Sequence, residues 1–481
     1  MSSLPPDAFP AWARLNGLVL DGIQLRHVDD RGLGLVLDDD AATIPDPLLR
    51  VPRDLVLRVG DYANVDANFK QLLETVGHQV PTLAPFPPFF ETEETLTYHL
   101  QSPRLDAVLF LLCNLVHSRR GRRRGHALVP TPWTEYLRFL PRSIPVPTLW
   151  SESERLLLAG TSLEPALHAK LAALGREFDR LRLQTESMPF WNELLWEGEA
   201  SASLDDWILA DGWFRSRCLE LPGLGVAMVP GLDMANHSVC PTAYYEVDDK
   251  ADVLLSACPS RDASCGREMT ISYGQAKSAA EMLFSYGFVD GNASSLTLPI
   301  APLPDDPLAK AKLAVFDQSP VLKLSWEDGV INWESPFAYL LCLNEEDGLG
   351  FRLLQDTAGE RQLRLLWQDE DITGRVSELE TLIKDHGLHH VFRLRAAAVV
   401  HERVEAQLAR IRDVSSQPLG VRDACIAAAS ALREAETGLL EAAAEALDHE
   451  KTTLLDHEDV TRYLASTANE EDQNGDEDDF S

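Results

Sequence analysis

Two stretches patterned for β-structure, residues 17–57 and 225–273, flank about 140 residues patterned for helices. In the first, turn glycines Gly17 and Gly22 precede the alternating Ile23 and Leu25. Arg31-Gly-Leu-Gly-Leu-Val-Leu37, Leu48–Val51 and Leu55–Leu57 then follow as further strands. A piece this short cannot bury a core on its own. The two stretches are therefore expected to share one sheet-based domain that a helical insertion splits. Within the insertion, Leu105, Val108, Leu109, Leu112, Leu115 and Val116 fall on one helical stripe, and Leu171, Leu174, Phe178 and Leu181 on another. Proline-rich breaks at 81–88 and 141–147 separate these helices.

The second β-patterned stretch runs from Gly225–Pro230 through Tyr244–Val247 and Val253–Ser256 to Met269–Tyr273, and a short helix is expected around Ser278–Tyr286. After prolines 299, 302, 304 and 307, the segments Leu388–Ala409 and Val421–Leu447 are rich in Ala, Leu, Glu and Arg at helical spacing. The expected class is α+β. A split β-domain over 15–292, with its insertion at 64–207, precedes a mostly helical domain over 300–465 and a disordered acidic tail over 466–481.

The charge balance narrows the partners. Forty-three Lys and Arg against 76 Asp and Glu leave a net −33. Seven acids lie between Glu470 and Asp479, so most of the acidity belongs to the body. Such a chain is a poor general binder of nucleic acid or anionic membrane and attracts basic partners. Its 7 cysteines are scattered and form no CxxC pair, which argues against a disulfide framework and a four-cysteine zinc site. No basic segment with an apolar run opens the sequence, and the run Ala107–Val116 is too short to span a bilayer. These features lead to the expectation of a soluble cytoplasmic or nuclear protein.

Chemistry-bearing residues concentrate in three places. Val229-Pro-Gly-Leu-Asp-Met-Ala-Asn-His-Ser238 puts a carboxylate, an amide and an imidazole just past a strand end. The same residues also read as a capped turn, with Asp233 and Asn236 bonding their own backbone. A metal pair of Asp233 and His237 lacks a third ligand nearby. Glu268-Met-Thr-Ile-Ser-Tyr-Gly274 places Tyr273 at a strand end, ahead of Phe284, Tyr286 and Phe288, of which Phe284 and Phe288 read as core. In Trp213-Phe-Arg-Ser-Arg217, the second arginine reads as a surface cation or as a fork for a carboxylate.

Other features read more simply. Gly32-Leu-Gly34, Gly223-Leu-Gly225 and Gly348-Leu-Gly350 lack the third glycine of a dinucleotide site. The basic run 117–126 reads as a solvated loop, and His386, His389 and His390 as exposed histidines.

Taken together and in order, six segments resemble the SET-domain methyltransferases of the Rubisco lysine methyltransferase branch. They are Arg31-Gly-Leu-Gly-Leu35, Trp133-Thr-Glu-Tyr-Leu-Arg-Phe-Leu-Pro141, Ser216-Arg217, Asp233-Met-Ala-Asn-His-Ser238, Gly266–Gly274 and Lys277–Phe288. Ala279 stands where that branch usually has asparagine, and Arg31 where it often has an acid. The resemblance implies a SET β-fold interrupted by a helical insertion, followed by a helical domain that helps bind a protein substrate. It also implies S-adenosylmethionine as cofactor and no metal.

By the same resemblance, the backbone of Arg31, Gly32 and Leu33 would cradle the cofactor, and Arg217 would pair with its carboxylate. Asn236 and His237 would hold it, Asp233 would brace the turn, and Tyr286 would line the same site. Tyr273 would face the transferred methyl group. The implied activity is protein-lysine N-methylation. The alternatives are histidine methylation on the same framework and a non-catalytic adaptor that keeps the fold. The target protein, the number of methyl groups added and the oligomeric state are not written in these motifs.

Overall fold

A computed structural model describes the chain apart from residues 1–2, 30, 39–43, 77–102, 121–127, 260–266, 275–276, 292–293, 328, 356–360, 414–418 and 476–481. The first proline-rich break, most of the basic run and Gly266 thus lie outside the described residues. The chain opens with α1 (Phe9–Leu15), followed by β1 (Val19–Leu20), β2 (Ile23–Val28), β3 (Gly32–Leu37) and β4 (Leu49–Val51). The insertion holds α2 (Val59–Ala63), α3 (Ala67–Val76), α4 (Pro103–Arg120), α5 (Pro132–Tyr136), α6 (Glu152–Arg155), α7 (Leu163–Thr185), α8 (Pro189–Trp191) and α9 (Leu204–Arg217). Then come β5 (Cys218–Leu221), β6 (Gly225–Met228), β7 (Ala243–Val247), β8 (Val253–Ala257), β9 (Glu268–Met269) and α10 (Ala279–Tyr286).

Strand pairing joins the two halves across the insertion. β4 pairs antiparallel with β8, Leu49 opposite Leu255 and Val51 opposite Val253. β3 pairs with β9, Leu35 opposite Met269. Leu35, Val51, Leu255 and Met269 are all fully buried, so each half supplies the apolar face that the other lacks.

Two local expectations change. Leu55–Leu57 is not a strand: a 3₁₀ turn over Arg53–Leu55 follows Pro52, which has no N–H to give a ladder. In α4 the expected stripe is instead a wrap-around core, since Phe110, Leu111 and Cys113 are as buried as Leu109 and Leu112. A helix packed on all sides needs no polar face.

The C-terminal part contains β10 (Ser295–Pro299), α11 (Ala309–Val315), β11 (Val321–Glu327), β12 (Val330–Glu334), α12 (Pro336–Cys342), β13 (Leu349–Gln355), β14 (Arg361–Trp367) and β15 (Glu370–Asp371). It ends with α13 (Leu379–Leu382), α14 (His389–Arg412), α15 (Asp423–Leu455) and α16 (Glu458–Gly475). Helices dominate, as expected, but two three-stranded sheets were not anticipated. Their signals are short: β11 alternates, with Leu322 and Leu324 fully buried, and Asp-Gly separates it from β12. α16 continues to Gly475, into the stretch expected to form a disordered tail. Among the described residues no helix is long and apolar enough to cross a membrane.

The start of α15 packs against the split domain. Cys425, Ala429 and Leu432 share a buried cluster with Leu163 of α7 and with Ala280 and Leu283 of α10. Arg422 grips Glu154 at 2.6 and 2.9 Å, and Arg433 donates to the Leu157 carbonyl at 2.9 Å.

Candidate active site

Residues 232–238 cross the segment after β9, and that crossing organises the site. The Ile271 amide donates to the Asn236 carbonyl at 2.9 Å, and the Ser238 amide to the Ile271 carbonyl at 3.0 Å. This is a parallel bridge between His237 and Ile271, in which His237's own amide and carbonyl face the other way. Gly231, at φ +82°, makes the turn that leads in.

His237 is held at both ring nitrogens. Its Nδ1 accepts the Tyr273 amide at 3.1 Å, so Nε2 carries the proton and meets Asp290 Oδ2 at 3.2 Å. Both ring nitrogens thus have partners other than Asp233. The imidazole instead stands 5.2 Å from the Tyr273 ring and 5.9 Å from Phe288. Tyr273 packs on Tyr286 at 4.5 Å, and its hydroxyl donates to the Ala235 carbonyl at 2.8 Å. Burial pushes the Tyr273 phenol up to about 12. Burial raises Tyr286 as well.

Tyr286 arrives from α10, whose ends are set locally. Ser278 and Glu281 form a reciprocal capping box at 2.7 and 3.2 Å, and Gly287 closes the helix at φ +85°. Phe284 of that helix is core, as expected. Phe288 is not: it lies half-buried against His237.

Arg217 ends α9. Its Nη1 donates to the Asp233 carbonyl at 3.0 Å and lies 3.5 Å from the Asp233 carboxylate. Its Nε is buried without a hydrogen-bond partner among the described residues. A buried guanidinium N–H left open costs free energy unless an acceptor meets it, and a ligand carboxylate is such an acceptor. Arg217 is therefore no plain surface cation. The Asp233 side chain is fully buried and also accepts the Tyr136 hydroxyl; burial pushes its carboxyl up, while Arg217 pulls it down. Asp233 thus braces the turn from inside.

The first β-segment reaches the site through Glu268. Asn236 Nδ2 donates to Glu268 Oε1 at 2.7 Å, and Arg31 donates to Glu268 Oε2 at 3.2 Å. Gly32 takes φ +77° with open space around it, and Leu33 continues β3. The close approach occurs at Gly34, where a Cβ would lie 2.8 Å from Asn236 Nδ2 and 2.9 Å from Glu268 Oε1. Arg217, Asp233, Asn236, His237, Tyr273 and Tyr286 thus converge, with Arg31 joined through Glu268.

Sequence reasoning passed over the site roles of Gly34, Tyr136, Glu268, Phe288 and Asp290. Tyr136 donates to Asp233, and its hydroxyl accepts the Gly231 amide at 3.0 Å. The motif Trp133–Pro141 flagged its neighbourhood, but nothing in the spacing pairs it with residues almost a hundred positions away.

No family model matches the chain. The chain is 29% identical over 282 residues to SET domain-containing protein 8 of Schizosaccharomyces pombe, a match covering 57% of this chain and 62% of that protein. It is 27% identical over 292 residues to the chloroplastic ribulose-1,5-bisphosphate carboxylase/oxygenase large subunit N-methyltransferase of Pisum sativum, 56% of each chain. The chain thus covers less than two thirds of either relative. A structure of Rubisco LSMT bound to AdoMet superposes with a TM-score of 0.66 at 21% identity, covering 95% of this chain and 96% of that one. The chain has the SET fold, that of the solved SET domain of LSMT, and its relatives in sequence include a SET domain-containing protein and a Rubisco large subunit N-methyltransferase.

Proposed function

We propose that this chain is an S-adenosylmethionine-dependent protein-lysine N-methyltransferase. One observation carries the reading: an Arg217 Nε that is buried and has no hydrogen-bond partner among the described residues belongs to the same cluster as the ring-packed Tyr273 and Tyr286. The relatives support it, since one is an N-methyltransferase by name and the similar solved structure is bound to AdoMet.

When bound, S-adenosylmethionine supplies an electrophilic methyl group. Arg217 would hold its carboxylate, Asn236 and the outward-facing backbone of His237 its other polar groups, and the backbone of Arg31, Gly32 and Leu33 its remaining face. The chain's own work is to prepare the amine. A lysine ammonium must lose its proton, which from an ordinary value of about 10.4 corresponds to about 4 kcal/mol near pH 7.4. The aromatic surfaces of Tyr273, Tyr286 and Phe288 favour the neutral amine by desolvation. Tyr273 remains a neutral phenol at that pH, so it orients the amine and does not take its proton. Its one hydrogen points at Ala235, which leaves the oxygen lone pairs as acceptors for an amine N–H.

The net charge of −33 supports a lysine in a basic segment as target, drawn in over a Debye length of about 8 Å at physiological salt. Methylation at subsaturating substrate should then slow as salt rises. The scattered cysteines support a reducing cytoplasmic or nuclear setting.

The test is to incubate the protein with labelled cofactor and a cell extract, identify the labelled band and map the modified residue. Calorimetry without cofactor binding would return the chain to an adaptor, and label on histidine would change the substrate class.

A further inference from the structure

Among the described residues, one cluster with metal-ligating chemistry lies away from the site above. His390, in the first turn of α14, faces His457 and Asp459 at the junction of α15 and α16. His390 Nδ1 is 3.4 Å from Asp459 Oδ2, and His457 Nδ1 is 3.5 Å from the same oxygen. The two imidazoles stack at 3.5 Å with planes 23° apart, and all three donor atoms lie within 4.8 Å of one another. We infer that His390, His457 and Asp459 bind a divalent transition-metal ion of the zinc class, which clamps α16 to α14.

The distances fit such an ion. Bonds of about 2.0–2.1 Å in a tetrahedral site put ligand atoms about 3.3–3.4 Å apart. The hydrogen bonding points the same way. His457 Nδ1 accepts the Asp459 amide at 3.3 Å, so that nitrogen carries a lone pair. This unprotonated nitrogen therefore lies 3.5 Å from a carboxylate oxygen with no proton of its own to bridge them. A cation converts that repulsion into coordination, and the long amide contact is then given up. The second carboxylate oxygen, Oδ1, takes Arg462 at 3.2 Å, leaving Oδ2 as the donor. Glu458 and Asp459 offset the positive end of α16, which alone would oppose a cation.

All three side chains are about one-third exposed, so the rings can splay until both lone pairs point at one ion. Two imidazoles and one carboxylate are a common zinc donor set, with a fourth position left for water. Arg395 Nη2, which donates to the Tyr463 hydroxyl at 2.7 Å, already ties the same two helices and preorganises the site.

The full-length protein, stripped with chelator, would be titrated with Zn²⁺ by competition against a chromophoric chelator, and with Co²⁺ by visible absorption. The expected result is one tight ion per chain, a tetrahedral Co²⁺ spectrum, and stronger hydrogen-exchange protection of α16 with metal. His390→Ala, His457→Ala and Asp459→Asn should each weaken that binding at least ~10-fold, with folding confirmed by circular dichroism. Wild type without a tight ion would overturn the inference. So would a triple variant that binds zinc as wild type does, since the ion would then sit on other histidines or on Cys240.

Discussion

The Tyr273 hydroxyl donates to the Ala235 carbonyl at 2.8 Å, tying the ring at the centre of the aromatic cluster to the segment that carries Asn236 and His237. The Tyr273 amide donates in turn to His237 Nδ1. One residue therefore sets both the tautomer of the imidazole and the position of the phenol.

Tyr273→Phe keeps the ring and its contacts with Tyr286 and His237 while removing one polar atom. Turnover should fall by roughly a hundredfold or more, the scale of losing one preorganised polar group. Cofactor affinity should stay within a few-fold of wild type. A phenylalanine variant that methylates at the wild-type rate would show that Tyr273 only packs.

Arg217→Ala should give the opposite pattern, with cofactor binding weakened more than turnover at saturation. It also leaves the buried Asp233 carboxylate without its cation, which adds a stability loss of about 1–3 kcal/mol. Calorimetry with S-adenosylmethionine, run well below the variant's melting temperature, separates the two effects. Unchanged affinity in the folded variant would remove Arg217 from the cofactor site.

Asp211 lies fully buried among three cations, with Arg104 and Lys170 at 2.8 and 2.9 Å and Arg215 at 3.4 Å. Arg215 also reaches Thr148 at 2.8 Å and the Phe284 carbonyl of α10, so the network ties the insertion to the helix bearing Tyr286. Asp211→Asn leaves those cations short of a counter-charge and should cost about 3–5 kcal/mol, read as a drop in the denaturant midpoint. A loss under 1 kcal/mol would mean that the network contributes little to stability.

Glu436 of α15 is buried at the domain junction, accepting from the Ser162 amide at 3.0 Å, and burial pushes its carboxyl up to about 7. The folded state then keeps a proton that the unfolded chain releases near its ordinary value. The stability from this group is full below about pH 4.5 and is lost as pH rises through about 7, by up to about 3 kcal/mol. Glu436→Gln should remove that slope, with a denaturation midpoint near wild type at pH 5 and above it at pH 8. Equal midpoint shifts at both pH values would rule out Glu436 as the titrating group.

The helix α10 was legible because its signals are local: Ser278, Glu281 and Gly287 set both ends within ten residues. The split domain was legible too, because alternating apolar residues in two short stretches have no other way to find a second layer. The candidate site residues were legible as motifs, through types and order shared with known SET proteins. What the motifs could not show is which atoms meet. Tyr136 and Asp233 are 97 positions apart, and Arg31 reaches Glu268 across 237. Such pairs leave no trace in spacing, since they exist only once β3 lies beside β9 and residues 232–238 cross the segment ending in Tyr273. The sequence by itself determined periodicity, capping and the segments that carry chemistry, all of which depend on neighbours along the chain. Only the tertiary structure decided that Gly34 must lack a Cβ beside Asn236, that Arg217 keeps one buried N–H open, and that His390 meets His457. Those facts are set by packing between distant segments, where burial gives each polar contact its strength and each missing partner its cost.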